Sequence, residues 1–244
     1  NPHTVVVLET GNPVTMPWLD RVAAVVEAWY PGERGGDAIA NVLFGNVDAT
    51  GRLPITFPSA QEQLVHPELP GLNELLSASA AGFRGYQLAL ALLPFSVTYS
   101  DGSDVGYRRF VKQGLAPLFA FGHGLSYTTF RYGDFILEGG ETLKASFKIT
   151  NAGLRAGTDT AQLYLTRKLG VPEMRLLGWN QVTLAPGQTR SVSVVADPRL
   201  LADFDPSQNV WRIRAGLYEA SLGSASDALR FRAAVPVAAQ ARKP

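Results

Sequence analysis

The acidic side chains of this sequence fall into groups that could carry proton transfer. Asp101 and Asp104 lie close together around Gly102. Two nearby carboxyl groups can divide acid and base roles when their surroundings push their pKa values apart. Beside a glycine the same residues serve as turn residues that bond the local backbone. Glu33 and Asp37 stand at i and i+4 on an expected helix, where a solvated first turn complementing the helix dipole is the competing role. Glu9 follows an expected strand and would point toward the sheet edge where α/β folds bind ligands. It has no evident partner. Asp101, Tyr107 and Arg108 share one short stretch. Arg108 offers a planar fork of donors that can hold a carboxylate bidentately. Its simplest role is to pin a loop through Asp101, Asp104 or a carboxylate elsewhere.

Aromatic faces can stack on sugar rings, so the tryptophans matter as well. Trp18, Trp29 and Tyr30 cluster around an expected helix, and Trp179 and Trp211 lie on expected strands. The first group could line a sugar platform or pack as a helical stripe. The second could form a carbohydrate-binding face or pack across strands. The three histidines, His3, His66 and His123, are scattered and cysteine is absent. That excludes disulfides and thiolate metal sites and argues against a histidine metal cluster. Gly122-His123-Gly124 is no phosphate loop, since no strand leads into it and no lysine follows. Gly35-Gly36 falls inside an expected helix, not between a strand and a helix.

These residues must be held by two kinds of structure. Residues 5–8 form a continuous apolar, β-branched run, the pattern of a strand covered on both faces. Trp18, Val22, Val25, Val26 and Trp29 repeat at helical spacing and predict a helix after Pro17. A second helix is expected over 33–44, closed by Gly45, and a short strand over 53–57. Residues 59–100 read as an irregular surface excursion, and 101–129 as an irregular connector. From about 130 the pattern becomes all-β. Runs at 132–138, 142–150, 158–166, 176–184, 191–195, 210–214 and 217–222, with an eighth at 229–237, are separated by turns such as Ala185-Pro186-Gly187. Short alternating strands at this spacing indicate an immunoglobulin-like or fibronectin-III-like sandwich. The expected architecture is a partial α/β sandwich domain over 1–100, a connector over 101–129 and an all-β sandwich over 130–244.

The 244 residues carry a net charge of +1, with no basic stripe or acidic tail. Nucleic acid and membrane surfaces are therefore not expected partners. The longest apolar stretch, 88–97, is too short to span a bilayer and contains Pro94. No signal peptide opens the sequence, and Asn1 reads as a cut within a larger protein. The absence of cysteine does not fix the compartment, because bacterial periplasmic proteins also fold without disulfides.

Three blocks carry a family resemblance. The first runs through Val5-Val6-Val7-Leu8-Glu9-Thr10-Gly11-Asn12-Pro13, Trp29-Tyr30-Pro31-Gly32-Glu33-Arg34-Gly35-Gly36 and Gly51-Arg52-Leu53-Pro54-Ile55-Thr56-Phe57-Pro58. It resembles the closing half of the α/β sandwich domain of family 3 glycoside hydrolases. The second, Tyr99-Ser100-Asp101-Gly102, Gly106-Tyr107-Arg108-Arg109-Phe110 and Phe121-Gly122-His123-Gly124-Leu125-Ser126-Tyr127, resembles the linker into that family's third domain. That linker runs back over the sandwich domain, and the resemblance makes Asp101, Tyr107 and Arg108 the candidates for approaching a substrate. The third, Asn151-Ala152-Gly153, Leu177-Gly178-Trp179, Leu184-Ala185-Pro186-Gly187 and Gly216-Leu217-Tyr218-Glu219, is similar to its fibronectin-III-like domain. Residues 59–97 carry no recognised motif.

The resemblance implies the C-terminal part of a retaining β-glucosidase, periplasmic or extracellular, without metal or organic cofactor. Such an enzyme needs a nucleophilic and an acid/base carboxyl about 5–5.5 Å apart. In the family the nucleophile is an Asp on an N-terminal barrel, and the acid/base Glu precedes the strand that here is 5–8. Neither motif is in this sequence, so no catalytic residue is assigned. The implied partners are the N-terminal barrel and a β-glucoside or oligosaccharide, and homodimerisation stays open. β-Xylosidase is the rival within the family. A stand-alone carbohydrate-binding or adhesion module is the rival outside it.

Overall fold

The computed structural model describes residues 1–67, 71–72, 98 and 102–243. Most of the expected excursion over 59–100, and Asp101, lie outside the described residues. The first strand forms as expected. β1 (Val5–Leu8) pairs in parallel with β2 (Ala24–Glu27), in the register Val5↔Ala24 to Leu8↔Glu27.

The helix predicted after Pro17 is a correction. That segment makes one short 3-10 turn over Leu19–Arg21 and then becomes β2. Val25 and Val26 are adjacent β-branched residues, stiff at χ1 and better placed on a pleated surface than in a helical turn. Their pairing with Val6 and Val7 outweighs the helical spacing of the aromatics. Trp29 leaves the strand with φ +54°, and Glu27 accepts its backbone N–H at 3.0 Å.

α1 (Gly35–Leu43) falls within the second expected helix, and Gly45 follows with φ +70° as the left-handed stop. The strand expected over 53–57 is a second correction. The segment runs beside residues 118–123, with Leu53 N–H on His123 O and Phe57 N–H on Phe119 O, both 2.8 Å. It forms only an isolated bridge, Phe57↔Phe119, because Pro54 has no N–H for a ladder. The connector contains an element the glycines concealed. α2 (Tyr107–Gln113) lies between Gly106 and Gly114, both at positive φ.

The all-β half follows its alternation. β3 (Phe130–Glu138), β4 (Lys144–Asn151) and β7 (Thr189–Val195) form one sheet in the order β3-β4-β7. β5 (Gly157–Lys168), β6 (Val171–Leu184), β10 (Gly216–Gly223) and β11 (Leu229–Val237) form the other, ordered β11-β10-β5-β6. A small third sheet joins β8 (Asp203–Asp205), β9 (Val210–Ile213) and β12 (Gln240–Arg242). β8 and β12 have only three residues each and left no periodic signal.

The core lies between the two larger sheets. Leu143, just before β4, and Ala145, Phe147 and Ile149 along it point inward and meet Leu163 and Leu165 of β5 and Leu222 of β10. β5 is buried on both faces. Directly opposed antiparallel residues share a face, so the register Asp159↔Val182 and Ala161↔Asn180 puts one set toward the core. Thr160↔Gln181 and Gln162↔Trp179 form the other set. On that outer face Tyr164 is fully buried, with its ring 6.0 Å from that of Tyr107. The connector therefore acts as a third layer over β5.

Candidate functional site

The seam between the connector and the sandwich gathers most of the buried polar groups. Asp48, in the loop after α1, is one hub. Its carboxylate accepts from Ser126 Oγ at 2.8 and 2.9 Å, from Tyr127 N–H at 2.7 Å and from Thr158 N–H at 3.2 Å. Arg52 is another. Its guanidinium reaches Asp159 at 3.1 Å, with side chains only 11% and 5% exposed. Asp159 also accepts from Tyr132 Oη at 2.6 Å. Burial, followed by the adjacent Asp159 charge, holds the Tyr132 phenol above its ordinary pKa. A buried pair of this kind is tolerated because each charge has its partner and further hydrogen bonds.

Gln162 forms a third junction. Its Nε2 donates to Gly122 O at 3.0 Å and Ser224 O at 2.6 Å, and its Oε1 accepts from Tyr164 Oη at 2.5 Å. Gly122 has φ +84°, and a Cβ there would stand 2.0 Å from Gln162 Oε1. Only glycine fits both the turn and the close approach.

The residues singled out in the sequence sort differently from one another. Tyr107 stacks on Phe121 at 4.6 Å and accepts a hydrogen bond from the Leu176 N–H at 2.9 Å. It ties α2 to β6. Arg108 lies 3.3 Å from Asp104 and 3.8 Å from Glu173, with its side chain 18% exposed. Lys112 donates to the same Asp104 at 2.5 Å. That bond is the main cause that lowers the Asp104 pKa, burial opposing it and the Lys112, Arg108 and Arg175 charges adding to it. Asp101 lies outside the described residues.

Glu33 and Asp37 do not form a pair. Asp37 binds Arg34 at 2.7 Å in an exposed ion pair. Glu9 is exposed at the end of β1. Trp18 and Trp29 are half-buried, and Trp29 packs against Phe57 at 6.0 Å. Tyr30 is exposed. Trp211 packs against Phe204 at 5.1 Å as a cross-strand pair. Trp179 departs from that pattern and is 63% exposed. His123 lies against Phe119 at 5.2 Å, and burial depresses its pKa. Among the described residues no group of three or more His, Asp or Glu side chains could hold a metal ion. No described helix is long and apolar enough to cross a membrane.

A cavity of about 330 Å³ opens along the seam beside these anchors, lined by Arg52, Leu53, Phe121, Thr160, Trp179 and Gln181 among others. Sequence reasoning did not find the Arg52–Asp159–Tyr132 cluster or the Asp48 hub. Arg52 and Asp159 are 107 positions apart, and no local pattern relates them.

Known proteins place this geometry. Residues 1–127 match the Glycosyl hydrolase family 3 C-terminal domain, and residues 159–226 match the Fibronectin type III-like domain. Beta-glucosidase B of Emericella nidulans is 38% identical over 253 aligned residues, covering 100% of this chain and 28% of the relative. A beta-glucosidase of Rhizobium radiobacter is also 38% identical, over 97% of this chain and 28% of its own length. The chain thus spans little more than a quarter of these curated relatives. Among solved structures, beta-glucosidase 3B from Thermotoga neapolitana in complex with glucose superposes with a TM-score of 0.80 at 30% identity, over 98% of this chain and 32% of that one. The order of the two matched domains is the order of the two layers described above, and the first match alone takes in more than half of the residues. This chain belongs to glycosyl hydrolase family 3, as its C-terminal domain followed by a fibronectin type III-like domain.

Proposed function

We propose that this chain works as the non-catalytic C-terminal portion of a retaining β-glucosidase. The observation that carries the reading is the coverage asymmetry. Relatives called beta-glucosidases align along the whole chain, yet the chain accounts for only 28% of their length. A terminal β-D-glucosyl residue would be transferred to a nucleophilic carboxylate and then to water, with a second carboxyl acting as acid and then as base. Both carboxyl groups would be supplied by the N-terminal barrel and the remainder of the α/β sandwich domain. The part played by this chain is to complete that domain and to hold it against the sandwich through Asp48, the Arg52–Asp159 pair and Tyr107.

The parallel pair β1–β2 supports a missing neighbour. Parallel strands with continuous apolar sequences are ordinarily covered on both faces, yet Val5 is 43% exposed and no residue of either strand is fully buried. The test is release of nitrophenol from a chromogenic β-glucoside, with the corresponding β-xyloside as control. The expected result is no turnover by the purified chain and β-glucoside turnover once the N-terminal portion is added. Enzyme-like turnover by the chain alone, or β-xyloside turnover in place of β-glucoside turnover, would overturn the proposal.

A further inference from the structure

The four tryptophans of this chain occupy different surroundings. Trp18 and Trp29 are half-buried, and Trp211 is spent on Phe204. Trp179 is 63% exposed on the outer face of β6, without an aromatic partner among the described residues. A large apolar ring held in water on a rigid strand is the kind of exposed group that marks a binding surface more often than an isolated leucine does.

What surrounds Trp179 limits the ligand. It stands at the cavity of about 330 Å³, a volume at the lower end of the range of about 300–1,000 Å³ that holds small molecules. Two residues along the same strand, Gln181 donates its Nε2 to Thr160 Oγ1 at 3.2 Å. That leaves Gln181 Oε1 as an acceptor and the Thr160 hydroxyl proton as a donor, both on the face that carries the indole. Arg52 also lines the cavity, but its charge is already neutralised by Asp159. Gln162 is fully engaged with Gly122, Ser224 and Tyr164, so the floor beneath the indole is fixed.

The site therefore offers one exposed aromatic face, one amide and one hydroxyl, with no uncompensated charge. An anion would find no free cation there. A pyranose ring fits, because one of its faces is a patch of C–H groups and its rim carries hydroxyls that both donate and accept. We infer that Trp179, Gln181 and Thr160 form a binding subsite for a neutral pyranosyl unit, such as one glucosyl residue of an oligosaccharide. The ligand class follows from the cavity alone and does not rest on the glucosidase reading.

The test is titration of the full chain with cellotetraose, followed by tryptophan emission and calorimetry. Saturable binding is expected with a Kd of about 1 mM, the weak range for a small shallow site. Trp179→Ala should raise that Kd at least about tenfold with an unchanged melting temperature, since the ring is not part of the core. Trp179→Phe, which keeps an aromatic face, should stay within about threefold of the parent. Absence of saturation at several times the expected Kd would overturn the inference. So would equal binding by Trp179→Ala. Loss of the Trp179-dependent binding when the N-terminal portion is added back would also overturn it, by making this face a protein contact. Binding by a preparation that shows no β-glucosidase activity even with that portion would sustain the subsite while sinking the glucosidase reading.

Discussion

β1 and β4 are both apolar strands, yet they live in opposite conditions. Along β4 every second residue is buried, and Leu143, just before it, is buried too. Lys144 and Lys148 between them reach Glu138 and Asp134 on the surface. Along β1 the run Val5-Val6-Val7-Leu8 has no polar alternation, and none of its residues is buried. An alternating strand states that one of its faces meets water, and β4 finds that arrangement inside this chain. A continuous apolar strand states that both faces are covered, and the described residues supply β1 with a single neighbour, β2. The sandwich thus closes its core within this chain, while β1 has one strand neighbour among the described residues and a sequence pattern that calls for cover on both faces.

The largest effect that would sharpen this contrast comes from cutting the chain. A fragment of residues 130–243 is expected to unfold cooperatively on heating, because the main hydrophobic cluster is contributed by that half. Its melting temperature should lie below that of the full chain, because removal of Tyr107, Phe121 and Gly122 uncovers Tyr164 and Gln162. A fragment of residues 1–58 should show no cooperative transition, since a two-stranded sheet is marginal in water. A sharp calorimetric peak from the 1–58 piece would break the comparison.

A smaller but still large effect should come from the charge that joins the halves. Asp159→Ala would leave the Arg52 guanidinium buried without its carboxylate and free the Tyr132 hydroxyl. Breaking a buried pair by removing one partner costs about 3–5 kcal/mol, readable as a lower midpoint in urea unfolding. The double variant Arg52→Met with Asp159→Ala should recover part of that loss. Equal destabilisation by the single and double variants would mean that the pair itself, not the orphaned charge, supplies the stability.

The same contrast explains what was legible in the sequence. Strands at 132–138, 142–150 and 229–237 could be read because each has a solvated face and therefore a period of two. β2 was taken for a helix because, in a strand covered on both faces, the period carries no information. Val25 and Val26 fit either template, and only their pairing with β1 decides. The extended segment at 53–57 read as a strand because Leu53, Ile55 and Phe57 alternate, but Pro54 and Pro58 leave it with bridges only. Trp179 and Trp211 looked alike as strand aromatics. Their difference lies in neighbours distant in sequence, Phe204 for one and an open cavity for the other. Arg52 and Asp159 could not be linked at all until the connector had been folded over β5.

The smallest expected effect concerns the connector, where Asp104, Arg108, Lys112 and Glu173 form a partly solvated cluster. Arg108 sits 3.3 Å from Asp104 and 3.8 Å from Glu173, and Asp104 is shared with Lys112, whose side chain is 71% exposed. Shared, partly exposed partners put this cluster nearer the surface value of about 1 kcal/mol than the buried value. Arg108→Ala should therefore lower the melting temperature by only a few degrees, at roughly 2–4 °C per kcal/mol for a chain of this size. In the β-glucosidase proposed above it should leave the Michaelis constant within about a few-fold, since uniform substrate binding is untouched. The pH dependence separates this role from any other. The folded-state pKa of Asp104 lies below its ordinary value, chiefly because Lys112 donates to it. Its ionised form thus stabilises the fold above about pH 4, and that contribution is lost as pH falls through the depressed value. The difference in melting temperature between the parent and Asp104→Asn should be constant near neutrality and shrink in acid, and Arg108→Ala should shrink with it. An unchanged melting temperature with a Michaelis constant raised about tenfold or more would instead make Arg108 a substrate ligand, and the connector would then belong to the chemistry and not to the scaffold.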